Sequence, residues 1–317
     1  MSTTTEEETG VYIGGTGYLF LSGGRHSVFP YFTGGANPKP RSVRNFADNL
    51  RQRSEYCVKT GRHFTTVVFP EKCVALRNEL KEVGTFQSLF ERSYLPELVD
   101  AGLMHSVCYP LSQFQDNSAA FFRTDTHYSA PGCLLMTEAI LGSAFPEIIA
   151  DGMRELRALL KDKPGFSGDL GRKFDPPHVE TARVLDQQKL QIDMATNGVK
   201  GGNDGICILV SSSRSLTDKT VLIYGDSFFR QLLPLLAVFY RRVIFCRTRY
   251  FHYELTDAFS PDHIFCGLAE RYLSGCLPDK KRPHFLSYPI ELGRSMNPDE
   301  GFTQLWAEFC DRRKLVR

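Results

Sequence analysis

No run of about eighteen apolar residues occurs in the 317-residue sequence, so no segment reads as a membrane-spanning helix. Charge of one sign is also missing. Thirty-eight Lys and Arg face 36 Asp and Glu, a net of +2, and no basic block tracks a phosphate backbone. That argues against nucleic acid as a partner. The opening MSTTTEEETG has neither a basic stretch nor an apolar one, so it does not read as a secretory signal, and the expected location is cytoplasmic. None of the nine cysteines forms a C-x-x-C pair. Several sit in apolar company, such as Ile206-Cys207-Ile208, and read as small buried hydrophobes rather than zinc ligands or disulfides.

What is present is a core-forming composition: 42% hydrophobic against 23% charged residues. Residues 1–10 are polar and acidic and are expected to be a disordered tail. Residues 11–317 are expected to form a single α/β catalytic domain, with 151–205 as an insertion. Ser22 to Pro40 is rich in glycine and proline and reads as loop or irregular hairpin. Helical spacing of Val43, Phe46, Leu50 and Tyr56 predicts a helix that stops at Gly61, followed by a strand over 64–69. Phe86 to Ala101 reads as one helix, Ser106 to Tyr109 as a strand, and 131–142 as a further helix. Strands are expected at 206–210, 220–224, 242–245 and 261–265, with helices over 228–240 and 268–273. Alternation of this kind predicts a parallel sheet flanked by helices.

Val11 to Phe20, with Gly14, Gly15 and Gly17, looks at first like a dinucleotide fingerprint. Phe20 occupies the third glycine position and no helical pattern follows, so a β-turn with packed aromatics is the better reading.

Gly225-Asp226-Ser227 ends a buried apolar strand and opens a helix. Such a turn places Ser227 at the carboxyl end of the sheet, with free first-turn N–H groups beside it. The plainer reading is that Asp226 or Ser227 only caps the helix. A serine nucleophile needs a base, and the base an orienting carboxylate. Asp125-Thr126-His127 offers both, since residues two apart can face one way in an extended segment. The plainer reading here is that Asp125 caps a helix near Ser129. No other histidine has a carboxylate at this spacing, and His252 in Tyr250-Phe251-His252-Tyr253 reads as packing.

The Gly-Asp-Ser turn resembles the signature of SGNH-type hydrolases. The Asp-x-His element stands 100 residues before the serine rather than after it. That permuted order resembles the AlgX/AlgJ-type alginate O-acetyltransferases. Gly17-Tyr18-Leu19-Phe20-Leu21, the strand ending in Pro70-Glu71-Lys72, Thr124-Asp125-Thr126-His127-Tyr128-Ser129 and Gly168-Asp169-Leu170 are similar to elements of that family, in the same order. So are Pro261-Asp262 and Glu270-Arg271-Tyr272-Leu273.

The resemblance implies an SGNH-hydrolase-like (flavodoxin-like) α/β fold and a catalytic triad of Asp125, His127 and Ser227. It implies transfer of an acetyl group to a polysaccharide hydroxyl through an acetyl-serine. No bound cofactor or metal is implied, only an acetyl donor and a carbohydrate acceptor, with other polysaccharide-biosynthesis proteins as candidate partners. Gly225, Asp226, Tyr128, Arg249 and Tyr250 are the candidate oxyanion and substrate contacts, Tyr128 standing where the family has Trp. A polyanionic acceptor would favour a basic cleft, and Arg241, Arg242, Arg247 and Arg249 follow the Ser227 helix; a solvated surface cluster is the plainer reading of them. An esterase that gives the acetyl group to water, and a non-catalytic glycan-binding module, are the competing readings.

Overall fold

The computed structural model describes residues 9–23 and 28–315. Residues 1–8 of the expected tail lie outside the described residues. Strands β1 (Val11–Ile13) and β2 (Leu19–Leu21) form an antiparallel hairpin, and Gly17 takes φ +87° in its turn. A strand therefore stands where a dinucleotide fold needs a helix.

The main sheet has seven strands. They are β3 (His63–Phe69), β4 (Val107–Cys108), β7 (Ile192–Thr196), β8 (Cys207–Ser212), β9 (Thr220–Gly225), β10 (Arg242–Arg247) and β11 (His263–Ala269), in the order β4-β3-β11-β9-β10-β8-β7. From β4 to β10 the pairing is parallel, as expected. β8 and β7 run antiparallel at one edge of this mostly parallel sheet. Only Ser213 to Lys219 joins β8 to β9, too short a connection for a crossover helix. The interior strands are buried on both faces. In β9, Val221 and Ile223 join one apolar core while Leu222 and Tyr224 join the other, which is why the run is apolar without alternation.

The long helix Pro40–Lys59 and the strand after it fall where the spacing puts them. Three expectations need correcting. Phe86 to Ala101 forms two short helices, Leu89–Ser93 and Leu95–Asp100, with Pro96 in the first turn of the second, where its missing N–H costs nothing. Leu268 and Ala269 complete β11, and Glu270–Ser274 is a 3-10 turn rather than a helix over 268–273. Within the expected loop of 22–40, Val28–Thr33 is helical and buries Val28 and Phe32. Residues 151–205 hold most of the helix Ile149–Ala158, the hairpin of β5 (Leu160–Phe166) and β6 (Glu180–Leu185), and β7 of the main sheet. All nine thiols are free. Among the described residues no helix is long and apolar enough to cross a membrane.

A buried bidentate pair ties the long helix to the C-terminal segment. Arg53 Nε and Nη2 each donate to the Asp279 carboxylate at 2.7 Å, with both residues buried. Arg53→Met would leave that carboxylate charged and unpaired, and should cost about 3–5 kcal/mol in urea unfolding. The double variant Arg53→Met/Asp279→Leu should recover much of the loss; an equal loss in both would show that packing, not charge, carries the contact.

Candidate active site

Ser227 is the first residue of the helix Ser227–Phe239 that follows β9. The turn between them is tight: a Cβ on Gly225 would stand 2.7 Å from Phe229 Cδ2 and 2.9 Å from the Gly267 carbonyl. Asp226 caps this helix, accepting from the Phe228 N–H at 2.9 Å. Its other oxygen accepts from the Ala269 N–H at 2.7 Å, which fixes the end of β11 to the turn. The cap is thus Asp226, and Ser227 is left half-buried with its hydroxyl available. The Ser227 N–H is one of the first-turn donors that a helix leaves without an intrahelical carbonyl.

Asp125-Thr126-His127 lies in the loop closed by the Phe121–Tyr128 bridge, just before the helix Ala130–Leu141. Ser129, not Asp125, caps that helix, accepting from the Gly132 N–H. Asp125 Oδ1 instead accepts from both the backbone N–H and the Nδ1–H of His127, at 2.9 and 2.7 Å. His127 Nε2 lies 2.8 Å from Ser227 Oγ. With Nδ1 donating to the carboxylate, Nε2 is the acceptor for the Ser227 hydroxyl proton. The His127 and Asp125 side chains are 21% and 13% exposed, so the line of three is reachable yet shielded.

The surroundings hold this line in place. Asp169 donates its N–H to Asp125 Oδ2 at 2.9 Å, while its carboxylate accepts from the Thr126 N–H and hydroxyl at 2.7 and 2.6 Å. Gly168 makes the approach possible, since a Cβ there would fall 2.3 Å from Asp125 Cβ. Burial pushes the Asp125 carboxyl up, but the donors from His127 and Asp169 outweigh it and hold the group well below the usual carboxylate range. Lys72 reaches under the segment and donates to the carbonyls of Leu19, Phe122, Arg123 and Asp125. Burial pulls the Lys72 ammonium down to about 7, against the attraction of Asp125, Glu180 and Asp169. Beside it, Glu71 pairs with Arg271 at 2.7 Å, and burial pushes the neighbouring Glu270 carboxyl up to about 7. The ligand atoms of Asp125, His127 and Asp169 lie within 4.8 Å of one another, a spacing a metal ion could use. Both carboxylates already accept N–H or O–H donors, the pattern of a hydrogen-bonded site rather than a cation cage.

A polar pocket of about 460 Å3 opens over the carboxyl ends of β9, β10 and β11, with Gly225 and Asp226 in its lining. Arg247 and Arg249 line it as well. Tyr250 is half-buried next to them and outside the lining. Arg241 and Arg242 lie at the opposite end of β10, where Arg241 donates to the Ser212 carbonyl and Arg242 pairs with Glu308; they face away from the site. Tyr128 is corrected outright. It is 1% exposed, its hydroxyl donates to the Pro70 carbonyl and its ring packs on Phe114 and Phe228, so it offers no face to a sugar. Contrary to the expectation that His127 alone has a carboxylate two residues away, His252 Nδ1 lies 3.1 Å from Glu254 Oε1, the same spacing in reverse order. That histidine is fully buried and outside the pocket. Sequence reasoning also missed Asp204 and Arg294, which line the pocket from distant segments and carry no local motif.

The architecture is shared with solved structures. Bacillus cereus PatB1, in a structure with a sulfonyl adduct, matches 75% of this chain and 92% of its own, with a TM-score of 0.56 at 13% identity. A DHHW family protein from Eubacterium siraeum matches 72% of this chain and 85% of its own, with a TM-score of 0.52 at 13% identity. The fold is SGNH-like. The O-acetyltransferase domain of Pseudomonas putida AlgJ matches 90% of this chain and 99% of its own, at 14% identity and a TM-score of 0.49. No family model and no curated protein matches the sequence.

Proposed function

We propose that this chain is a serine acyltransferase that moves an acetyl group to a glycan hydroxyl through an acetyl-Ser227 intermediate. The observation that carries the proposal is the hydrogen-bonded line from Asp125 through His127 to Ser227, at a helix N-terminus above the carboxyl end of the sheet. The motif order quoted from the sequence and the sulfonyl adduct on PatB1 support the same reading.

Each group has one task. Ser227 Oγ attacks the donor carbonyl carbon while its proton passes to His127 Nε2. Asp125 holds the ring and stabilises the imidazolium that forms. The Ser227 N–H donates to the developing oxyanion. Collapse expels the donor's leaving group, which takes the proton from His127. An acceptor hydroxyl then gives its proton to His127 and attacks the acetyl carbonyl; as the intermediate collapses, Ser227 Oγ leaves and takes that proton back from His127. The roughly 460 Å3 pocket has room for a sugar ring beside the acyl group.

Intact-mass measurement after brief exposure to p-nitrophenyl acetate tests the chemistry. One added acetyl group, mapped to Ser227 and absent from Ser227→Ala, is the expected result. Adding oligosaccharides should speed p-nitrophenol release and yield acetylated sugar. Release unaffected by sugars, with acetate as the product, would make the protein an esterase. An adduct at another residue, or none from this ester and from a sulfonyl fluoride, would overturn the proposal.

A further inference from the structure

The pocket beside Ser227 contains a guanidinium that makes no ion pair among the described residues. Arg247 is the last residue of β10 and is paired in register with Gly225, two residues from Ser227. Neighbouring strands are about 5 Å apart, so the two backbones lie side by side at the floor of the pocket. Arg247 is 7% exposed. Among the described residues its backbone N–H donates to the Ile206 carbonyl, and its guanidinium makes no hydrogen bond or ion pair with the protein. None of its nitrogens is sealed from solvent without a partner, so with no acceptor in the protein they open into the pocket, where water or an anion can meet them.

The surroundings do not supply that anion. Asp226 lies in the same lining, but both its oxygens are taken by the N–H groups of Phe228 and Ala269. Asp204 is the other acid of the pocket and makes no ion pair with an arginine there. Arg249 and Arg294 add two more positive groups to the lining. Arg230, in the first turn of the Ser227 helix, stands close enough that burial and the charge of Arg247 push its guanidinium down from the ordinary value.

We infer that Arg247 binds an anionic group of the substrate, a carboxylate or a phosphate, and so anchors it beside the acyl-accepting serine. The planar guanidinium suits either group through two parallel N–H donors. The anion belongs either to the acceptor sugar or to the acyl donor; the placement over the ends of β9 and β10 serves both. This inference rests on Ser227 being the acylated residue only for its kinetic arm.

The test pairs variants with matched charged and neutral partners. Calorimetry on wild type, Arg247→Gln and Arg247→Lys would use inorganic phosphate, a uronic-acid trisaccharide and a neutral trisaccharide. This arm needs no turnover, so it stands even if no acyl-enzyme forms. Wild type should prefer at least one anion, and Arg247→Gln should weaken that anion about 10- to 100-fold relative to the neutral sugar. Arg247→Lys should keep part of the preference, and the preference should fall with added salt. In the kinetic arm, acetyl phosphate is compared with p-nitrophenyl acetate as donor, and the charged trisaccharide with the neutral one as acceptor. The arm whose anionic-over-neutral kcat/KM ratio falls in Arg247→Gln identifies the source of the anion. Arg249→Gln, at the exposed mouth, should lower the same ratio by less, and covers the case in which Arg247→Gln fails to fold. Anions bound no better than the neutral sugar in wild type, or an equal loss for charged and neutral partners in the variants, would overturn the inference.

Discussion

Ser227→Ala should lower turnover of p-nitrophenyl acetate by about 10^4-fold or more while leaving the thermal midpoint close to that of wild type. The hydroxyl is half-buried, and its only hydrogen bond among the described residues is to His127 Nε2, so its removal leaves no buried acceptor stranded. The helix keeps its cap, because Asp226 and not Ser227 provides it. What disappears is the atom proposed to form the acyl bond. The turn's N–H groups and the pocket remain, so a small residual rate is expected. His127→Ala should fall by a similar factor, and Ser227→Ala/His127→Ala by hardly more than either, because the two act as a unit. Unchanged turnover in Ser227→Ala would move the chemistry elsewhere on the surface.

Asp125→Asn should cost about 10^4-fold in kcat with little change in KM. The amide would present an N–H where Oδ1 now accepts from His127 Nδ1, and the ring would answer by carrying its proton on Nε2. Nε2 could then no longer take the proton of Ser227. The same substitution has a pH signature in stability. The folded carboxyl of Asp125 is held below its unfolded value of about 4. Its contribution is therefore present above that value and is lost as the pH falls through the folded one. The difference in melting temperature between wild type and Asp125→Asn should be open at pH 7 and close progressively below about pH 4. A gap that stays constant from pH 7 to 3 would mean that the carboxylate is not held by these donors.

Local pattern located most elements. The helix at 40–59 and strands β3 and β9 follow from spacing and from β-branched and aromatic runs that need no distant partner to be recognised. The errors share a cause. Leu268-Ala269 has helical composition, yet pairing of β11 with β3 extends the strand through Ala269. In Phe86 to Ala101 a proline two residues after Tyr94 restarts the helix instead of ending it. The antiparallel course of β8 depends on the length of the link to β9, which local propensity does not report.

By itself the sequence marked the residues on which the proposed chemistry rests: a serine on a Gly-Asp turn, and a histidine with a carboxylate two residues before it. It also determined that the strand through Val221 to Tyr224 would be buried on both faces, because that run has no polar side to show water. Only the tertiary structure decided that His127 reaches Ser227 across 100 residues, since a 2.8 Å contact depends on where two chain segments come to rest. It also decided that Tyr128 is core and that Arg247, 7% exposed, has no ion-pair partner among the described residues. Both are questions of what surrounds a side chain in space, and residue type leaves them open.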